Sequence, residues 1–267
     1  MVTSKLFKSE IIRRGKAGSK KGYYLDNSTN LIEGVTPCLF FDDMMQGGGG
    51  ELKSKFNAVY SSAALCVNNF AVLKKHINQF SFKGIRGFTC ANFERKFGTG
   101  LHGASPNLDF AIENEDTLIA FESKYLETLE KKKAKFSESY NQKKLAYLNG
   151  SPLIALIDKY KGKEMFLDVA QLIKHSIGLI NYGKQHEKKA RLVYIYWKPK
   201  NSGVLKQCYE EHDNELKAFD DELKGEKNLH FSSMTYNKFW EDYTSADVFS
   251  EHFDKVRARY DIEITLP

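Results

Sequence analysis

Apolar periodicity assigns this chain to the α/β class, with a mixed β-sheet core flanked by helices. Three observations carry the assignment. Two short β-prone runs, about 107–112 and 118–124, lie on either side of the polar turn Glu113-Asn114-Glu115-Asp116. Stretches of helical period, from Glu51 to about His76 and over 164–181, lie before and after those runs. A further run of buried-strand character, Leu192 to Trp197, precedes a return to helix. Helix, strands, helix, strand, helix is the order that packs helices on a mixed sheet.

Residues 1–22 read as a basic, mobile arm. Residues 1–25 hold seven Lys/Arg and one Glu, so the formal charge of +6 sits there and the rest of the chain is neutral overall. Residues 23–45 mix aromatics with Asn, Asp and Pro and show no clear period. Gly47 to Gly50 reads as a flexible linker, because the Lys-Ser/Thr that completes a nucleotide phosphate loop is missing. From Glu51 a helix is expected to about His76, with Phe56, Val59, Tyr60, Ala63, Val67 and Phe70 at helical spacing. Gly84 and Gly87 interrupt. Phe88–Phe97 is β-prone, with the face of Glu94 left open. Gly98, Gly100 and Gly103 make a loop up to Pro106.

In the first run of the hairpin, the period-two rule puts Leu108, Phe110 and Ile112 on one face and Asp109 on the other. In the second, Ile119, Phe121 and Ser123 share one face and Ala120, Glu122 and Lys124 the opposite one. A charged helical stretch is expected over about 125–148, with a basic cluster at Lys131-Lys132-Lys133, Lys135, Lys143 and Lys144. Asn149-Gly150-Ser151-Pro152 marks a turn before a strongly amphipathic or buried helix over 164–181. Lys198-Pro199 ends the late strand. A charged helix over 205–224, a short strand over 228–233 and a final helical region over 236–257 complete the chain. Residues 210–224 carry seven Asp/Glu against two Lys. This divides the chain into a basic arm and loop (1–50), a core (51–200) and a C-terminal α/β extension packed on it (201–267), one domain overall.

Composition excludes several classes. At 42% apolar and 28% charged the chain is expected to be an ordinary soluble protein. No run approaches the roughly 18–20 apolar residues of a membrane span. The N-terminus lacks the apolar core of a secretory signal, and Glu10 and the glycine-rich Arg14–Gly22 stretch are unlike an amphipathic presequence. Cys38, Cys66, Cys90 and Cys208 are scattered without a C-x-x-C, as in reduced thiols of a cytoplasmic protein rather than a zinc site. The basic clusters would attract a polyanion and the acidic helix would repel one.

The hairpin carries the chemistry. Asp109 lies between Leu108 and Phe110, and Glu122 lies in an apolar β-run. Buried carboxylates need a partner, a proton or a metal. If the two runs pair, both carboxylates reach one hard cation, and oxygen ligands with open water positions suit Mg²⁺ or Mn²⁺. Lys124 leaves the same face as Glu122, roughly 7 Å along the strand, where it can meet phosphate or orient water. The Ser123 side chain points away, but its carbonyl can be a further metal ligand. The reaction implied is metal-assisted phosphodiester hydrolysis. On spacing alone, a structural salt bridge from Lys124 to Glu122 or Asp109 reads equally well.

Pro106-Asn107-Leu108-Asp109 followed by Glu122-Ser123-Lys124 resembles the two acidic motifs of the PD-(D/E)XK nuclease superfamily, with two extra residues between the proline and the aspartate. More narrowly, the chain is similar to a bacterial restriction-endonuclease family. The matching stretches are Ser61–Asn68, Gly100–Ile112, Phe121–Glu127 and Gln171–His175, together spanning about residues 51–200. The resemblance implies a restriction-endonuclease-like fold and a Mg²⁺-dependent DNA endonuclease connected with restriction or phage defence. It also implies a supporting acid, Glu94 or, as runner-up, Glu51. Gln171 and His175, four apart on one helix face with Lys174 near them, would form a second polar wall. His102 reads as a loop residue. Tyr194, Tyr196 and Trp197 read as core rather than base-stacking groups. The alternatives are a non-catalytic nucleic-acid-binding module of the same fold and a nuclease acting on RNA or DNA ends. Double-strand cleavage from a single active site calls for a homodimer or two successive nicks.

Overall fold

A computed structural model describes residues 4–15, 21–48, 50–103, 105–243 and 248–265. The described residues hold the helices α1 (Ser4–Arg14), α2 (Phe41–Gly47), α3 (Gly50–Ser54), α4 (Ser62–Lys75), α5 (Leu153–Tyr160), α6 (Val169–Gln185), α7 (Lys206–Leu223), α8 (Tyr236–Tyr243) and α9 (Ser250–Tyr260). The strands are β1 (Cys90–Lys96), β2 (Asn107–Glu113), β3 (Thr117–Lys124), β4 (Lys132–Lys133), β5 (Glu164–Met165), β6 (Lys189–Tyr196) and β7 (Leu229–Thr235). Five of them form one sheet in the order β1-β2-β3-β6-β7, and β4 pairs with β5 apart from it. The pairs β1–β2 and β2–β3 are antiparallel, while β3–β6 and β6–β7 are parallel, so the sheet is mixed as expected.

β3 lies at the centre and all of its residues are buried, because helices cover both faces. Ile119 and Phe121 point into a layer shared with α1, α4, α8 and α9, whereas Leu118 and Ala120 point into a layer shared with α5, α6 and the later turns of α7. Phe70 of α4 anchors the first layer, its ring 4.7 Å from that of Phe110 and 5.0 Å from that of Phe121. The outer strand β1 is not left open. Asp43 of α2 accepts the Phe93 N–H at 2.8 Å, so a helix side chain covers the sheet edge.

Four expectations change. Residues 4–14 are not a mobile arm but a helix docked on the core: Phe7 and Ile11 are buried, and the Phe7 ring meets Trp197 edge-on at 5.9 Å. The single helix expected over 51–76 is broken. Asn30 donates to the Phe56 and Ala58 carbonyls at 2.6 and 2.7 Å, removing helical acceptors, and Ser61 caps a new helix by accepting the Ala64 N–H at 3.1 Å. The 125–148 stretch has no α-helix. Glu127 takes the Tyr125 N–H at 2.8 Å, and Ala134 exchanges backbone bonds with Lys163 and Gly162 beside the β4–β5 pair. Helix α5, not anticipated, follows Pro152. Among the described residues no helix is long and apolar enough to cross a membrane.

Candidate active site

β2 and β3 pair from Glu113↔Leu118 as far as Phe110↔Phe121 and then part. One step further, that register would set Asp109 opposite Glu122. In the opening, Asp109 Oδ2 accepts the Ser123 N–H at 2.6 Å, so the carboxylate replaces a missing ladder bond. The N–H and C=O of one residue in an extended strand leave by the same edge. The Ser123 carbonyl therefore faces this opening too. The next carbonyl, that of Lys124, turns the other way and accepts from Trp197 N at 2.9 Å.

β1 distorts at the same level. Phe93↔Phe110 and Arg95↔Leu108 are paired, but Glu94 between them has φ 50°, in the left-handed region that few side chains adopt. Leu108 packs in the α5–α6 layer while Phe110 and Ile112 pack in the other. The expectation that all three share a face fails because alternation breaks at Asp109, beside the strained Glu94. Such strain persists where the surroundings enforce it, and here α2 leans on the residue. A Cβ on Gly47 would lie 2.5 Å from Glu94 Cβ, so the last residue of α2 must be glycine rather than part of a loose linker. Asn107 ties the two together, donating to Glu94 Oε2 at 2.9 Å and to the Gly47 carbonyl at 2.8 Å.

Glu122 is 1% exposed. Lys124 Nζ donates to its Oε1 and to Gln171 Oε1, the latter at 2.9 Å. His175 Nε2 lies 2.9 Å from Glu122 Oε2. Both helix partners come from α6. Asp168 caps it by accepting the Gln171 N–H at 3.2 Å, which sets Gln171 in the first turn and His175 one turn later on the same face.

The charges are strongly coupled. Burial pushes the Glu122 carboxyl up, but Lys124 and His175 outweigh it and hold it at about 2. Burial opposes the Lys124 charge, and Glu122 and Asp109 more than compensate, raising it above the ordinary lysine value. Asp109 has no such support. Burial, then Glu122, then Glu94 raise it well above the usual carboxylate range, against smaller opposition from Lys124 and the Ser123 N–H. Glu94 is raised by burial as well, with Asn107 opposing and Glu122 and Glu51 adding to the rise.

The structure thus brings Asp109, Glu122, Lys124, Gln171 and His175 together, with Glu94 at the rim. Glu51 is exposed on α3, and His102 is exposed in the loop before β2. Lys174 points along α6 to the Lys135 carbonyl at 3.0 Å and lies over the Phe136 and Tyr140 rings. Tyr194, Tyr196 and Trp197 are core residues. Two residues of the site escaped sequence reasoning. Asn107 has the same side-chain chemistry as any turn asparagine, and only its place two residues before Asp109 could have marked it. Tyr236 holds Ser123 from the far face, Oη to Oγ 2.7 Å, across a sequence separation that no local pattern reveals.

Among the described residues no group of three or more His, Cys, Asp or Glu side chains is arranged to hold a metal ion. A cation here would rest on the Asp109 and Glu122 carboxylates and the Ser123 carbonyl. Glu122 Oε2, which meets only the His175 imidazole, and the repulsion on Asp109 fit one, and an all-oxygen set suits a hard divalent ion. Over residues 25–261 the chain matches the family described as Restriction Endonuclease associating with ARP, and it belongs to that family. Its mixed sheet between helices is consistent with a restriction-endonuclease-like fold. No curated protein and no solved structure matches it.

Proposed function

We propose that this member of the restriction-endonuclease family is a Mg²⁺- or Mn²⁺-dependent endonuclease of PD-(D/E)XK type that hydrolyses phosphodiester bonds in DNA. The observation that carries the reading is the opened end of the β2–β3 pair. Asp109 and Glu122 meet there beside a charged, buried lysine, and the second Glu122 oxygen meets only His175 Nε2, at 2.9 Å. Held by Asp109, Glu122 and the Ser123 carbonyl, the ion would supply Lewis acidity, acidifying water and neutralising charge on the phosphate. Lys124 has three N–H donors, and Glu122 and Gln171 take two of them. The third is left for a phosphate oxygen or the attacking water. Gln171 fixes the lysine through its carbonyl oxygen, and its amide donors remain for phosphate. His175 sits behind Glu122 and holds its charge. Glu94 supports the rim of the site through Asn107. The family's description speaks of association with ARP, and the proposal extends that association to this chain.

Supercoiled plasmid in Mg²⁺ or Mn²⁺ tests the reading. Nicking should require the ion and be lost in Asp109→Ala, Glu122→Ala and Lys124→Ala. Nicking by these variants at the wild-type rate would refute it. Circular, linear and single-stranded DNA and RNA, run in parallel, identify the substrate.

A further inference from the structure

Ser123 touches the candidate metal site twice. Its N–H holds Asp109 Oδ2 at 2.6 Å, and its carbonyl faces the same opening. β2 has parted from β3 at this level, beyond the pair Phe110↔Phe121, so no strand fixes that edge of Ser123. Only the far edge of β3 stays laddered here, with the Lys124 carbonyl accepting from Trp197 N at 2.9 Å. Two of the three groups proposed to hold the ion, the Asp109 carboxylate and the Ser123 carbonyl, therefore depend on how firmly this one serine is held.

The serine side chain supplies the hold. It is buried and leaves the sheet on the face opposite Glu122. Its Oγ shares a hydrogen bond of 2.7 Å with the Oη of Tyr236, the first residue of α8. Tyr236 is fully buried, and its phenol is clamped. Its ring stacks on Trp240 with centroids 5.9 Å apart and lies 6.5 Å from Phe70. Trp240 is pinned in turn, donating from Nε1 to Asn69 Oδ1 of α4 at 2.7 Å. The Cys66 thiol also meets the Ser123 hydroxyl, but sulfur is the weaker partner. Two buried hydroxyls that satisfy one another could give way to apolar groups at little cost to a fold. This pair stands where β3 has lost its ladder to β2, so it takes over the task of fixing the strand.

We infer that Tyr236 is a positioning residue of the metal site, acting through Ser123 to set the affinity for a divalent ion. The inference rests on the metal-dependent function proposed above. It extends the site into the C-terminal part of the chain, since α8 begins 113 residues after Ser123. Groups that orient metal ligands without touching the ion typically change affinity by roughly 10- to 100-fold.

Isothermal titration of the full chain with Mn²⁺, without DNA, reads that affinity apart from any cleavage. Tyr236→Phe keeps the ring, removes the hydroxyl and should weaken Mn²⁺ binding roughly tenfold or more. Ser123→Ala removes the same bond from the other side, leaves the N–H and carbonyl, and should weaken binding by a similar factor. The double variant should bind no more weakly than either single one, because both delete one interaction. Tyr243→Phe is the control. It deletes another hydroxyl of α8, one bonded to the Ser81 carbonyl at 2.6 Å, and should leave the affinity unchanged. Ser123→Ala carries the test if Tyr236→Phe melts before it can be titrated. Wild-type affinity in Tyr236→Phe and Ser123→Ala, or an equal loss in Tyr243→Phe, would overturn the inference and leave the nuclease reading in place. A wild-type chain that binds no Mn²⁺ would overturn that reading, and the inference with it.

Discussion

Replacing Asp109 by Asn should stabilise the metal-free protein and end its response to metal. Asp109 is raised well above the usual carboxylate range by burial and by Glu122 and Glu94. A group whose folded value is raised contributes stability below its unfolded value and loses it as pH rises through the folded one. Above the ordinary carboxylate range the Asp109 carboxyl is therefore a cost to the fold, which a bound cation would offset. Asn removes the charge and keeps an oxygen to accept the Ser123 N–H now bonded at 2.6 Å. Stabilising substitutions of this kind are commonly worth about 0.5–2 kcal/mol, or roughly 1–8 °C in Tm for a chain of this size. Asp109→Ala is the control: it leaves the Ser123 donor without that acceptor, at about 1–3 kcal/mol. Thermal melts in EDTA should rank Asn above wild type above Ala, with the Asn advantage growing as pH rises from acid. Saturating Mg²⁺ should then raise wild type by about 2.7 kcal/mol at a hundredfold excess over Kd and leave Asn unmoved. Asn melting below wild type near pH 8, or gaining as much from Mg²⁺, would refute the reasoning.

The remaining predictions follow from the same geometry. Glu122→Gln leaves buried Lys124 without its counter-ion and should cost roughly 3–5 kcal/mol in denaturant melts. Because Glu122 is held at about 2 against an ordinary 4.5, its contribution should be lost as pH falls through that interval, steepening wild-type acid unfolding relative to the variant. Gly47→Ala would set a Cβ 2.5 Å from Glu94 Cβ, so it should lower nicking at least about tenfold through a shifted Glu94, with a stability loss of only about 1–3 kcal/mol. Phe7→Ala should cost about 3–5 kcal/mol, since α1 is part of the core; a change under about 0.5 kcal/mol would mean that the helix is not docked.

The hairpin was legible because strand alternation and a polar turn are local signals. Glu122 and Lys124 on one face, and Gln171 with His175 one helical turn apart, follow directly from backbone periods. What escaped depends on distant partners. Asn30 breaks the helix expected through Phe56, and Phe7 finds its place only against Trp197. The basic run at Lys131 looked available to a polyanion, but Lys131 meets Glu211 of the acidic helix at 2.9 Å. Alternation misplaced Leu108 because Glu94, on the neighbouring strand, adopts a backbone conformation that no sequence period encodes.

The central claim is that the opening between β2 and β3 holds a divalent ion. Crystals grown with Mn²⁺ and measured at its absorption edge test it most directly. An anomalous peak within about 2.0–2.4 Å of both an Asp109 and a Glu122 oxygen is the predicted result. A saturated crystal with no peak there, Glu122 still paired only with Lys124 and His175, would contradict the account.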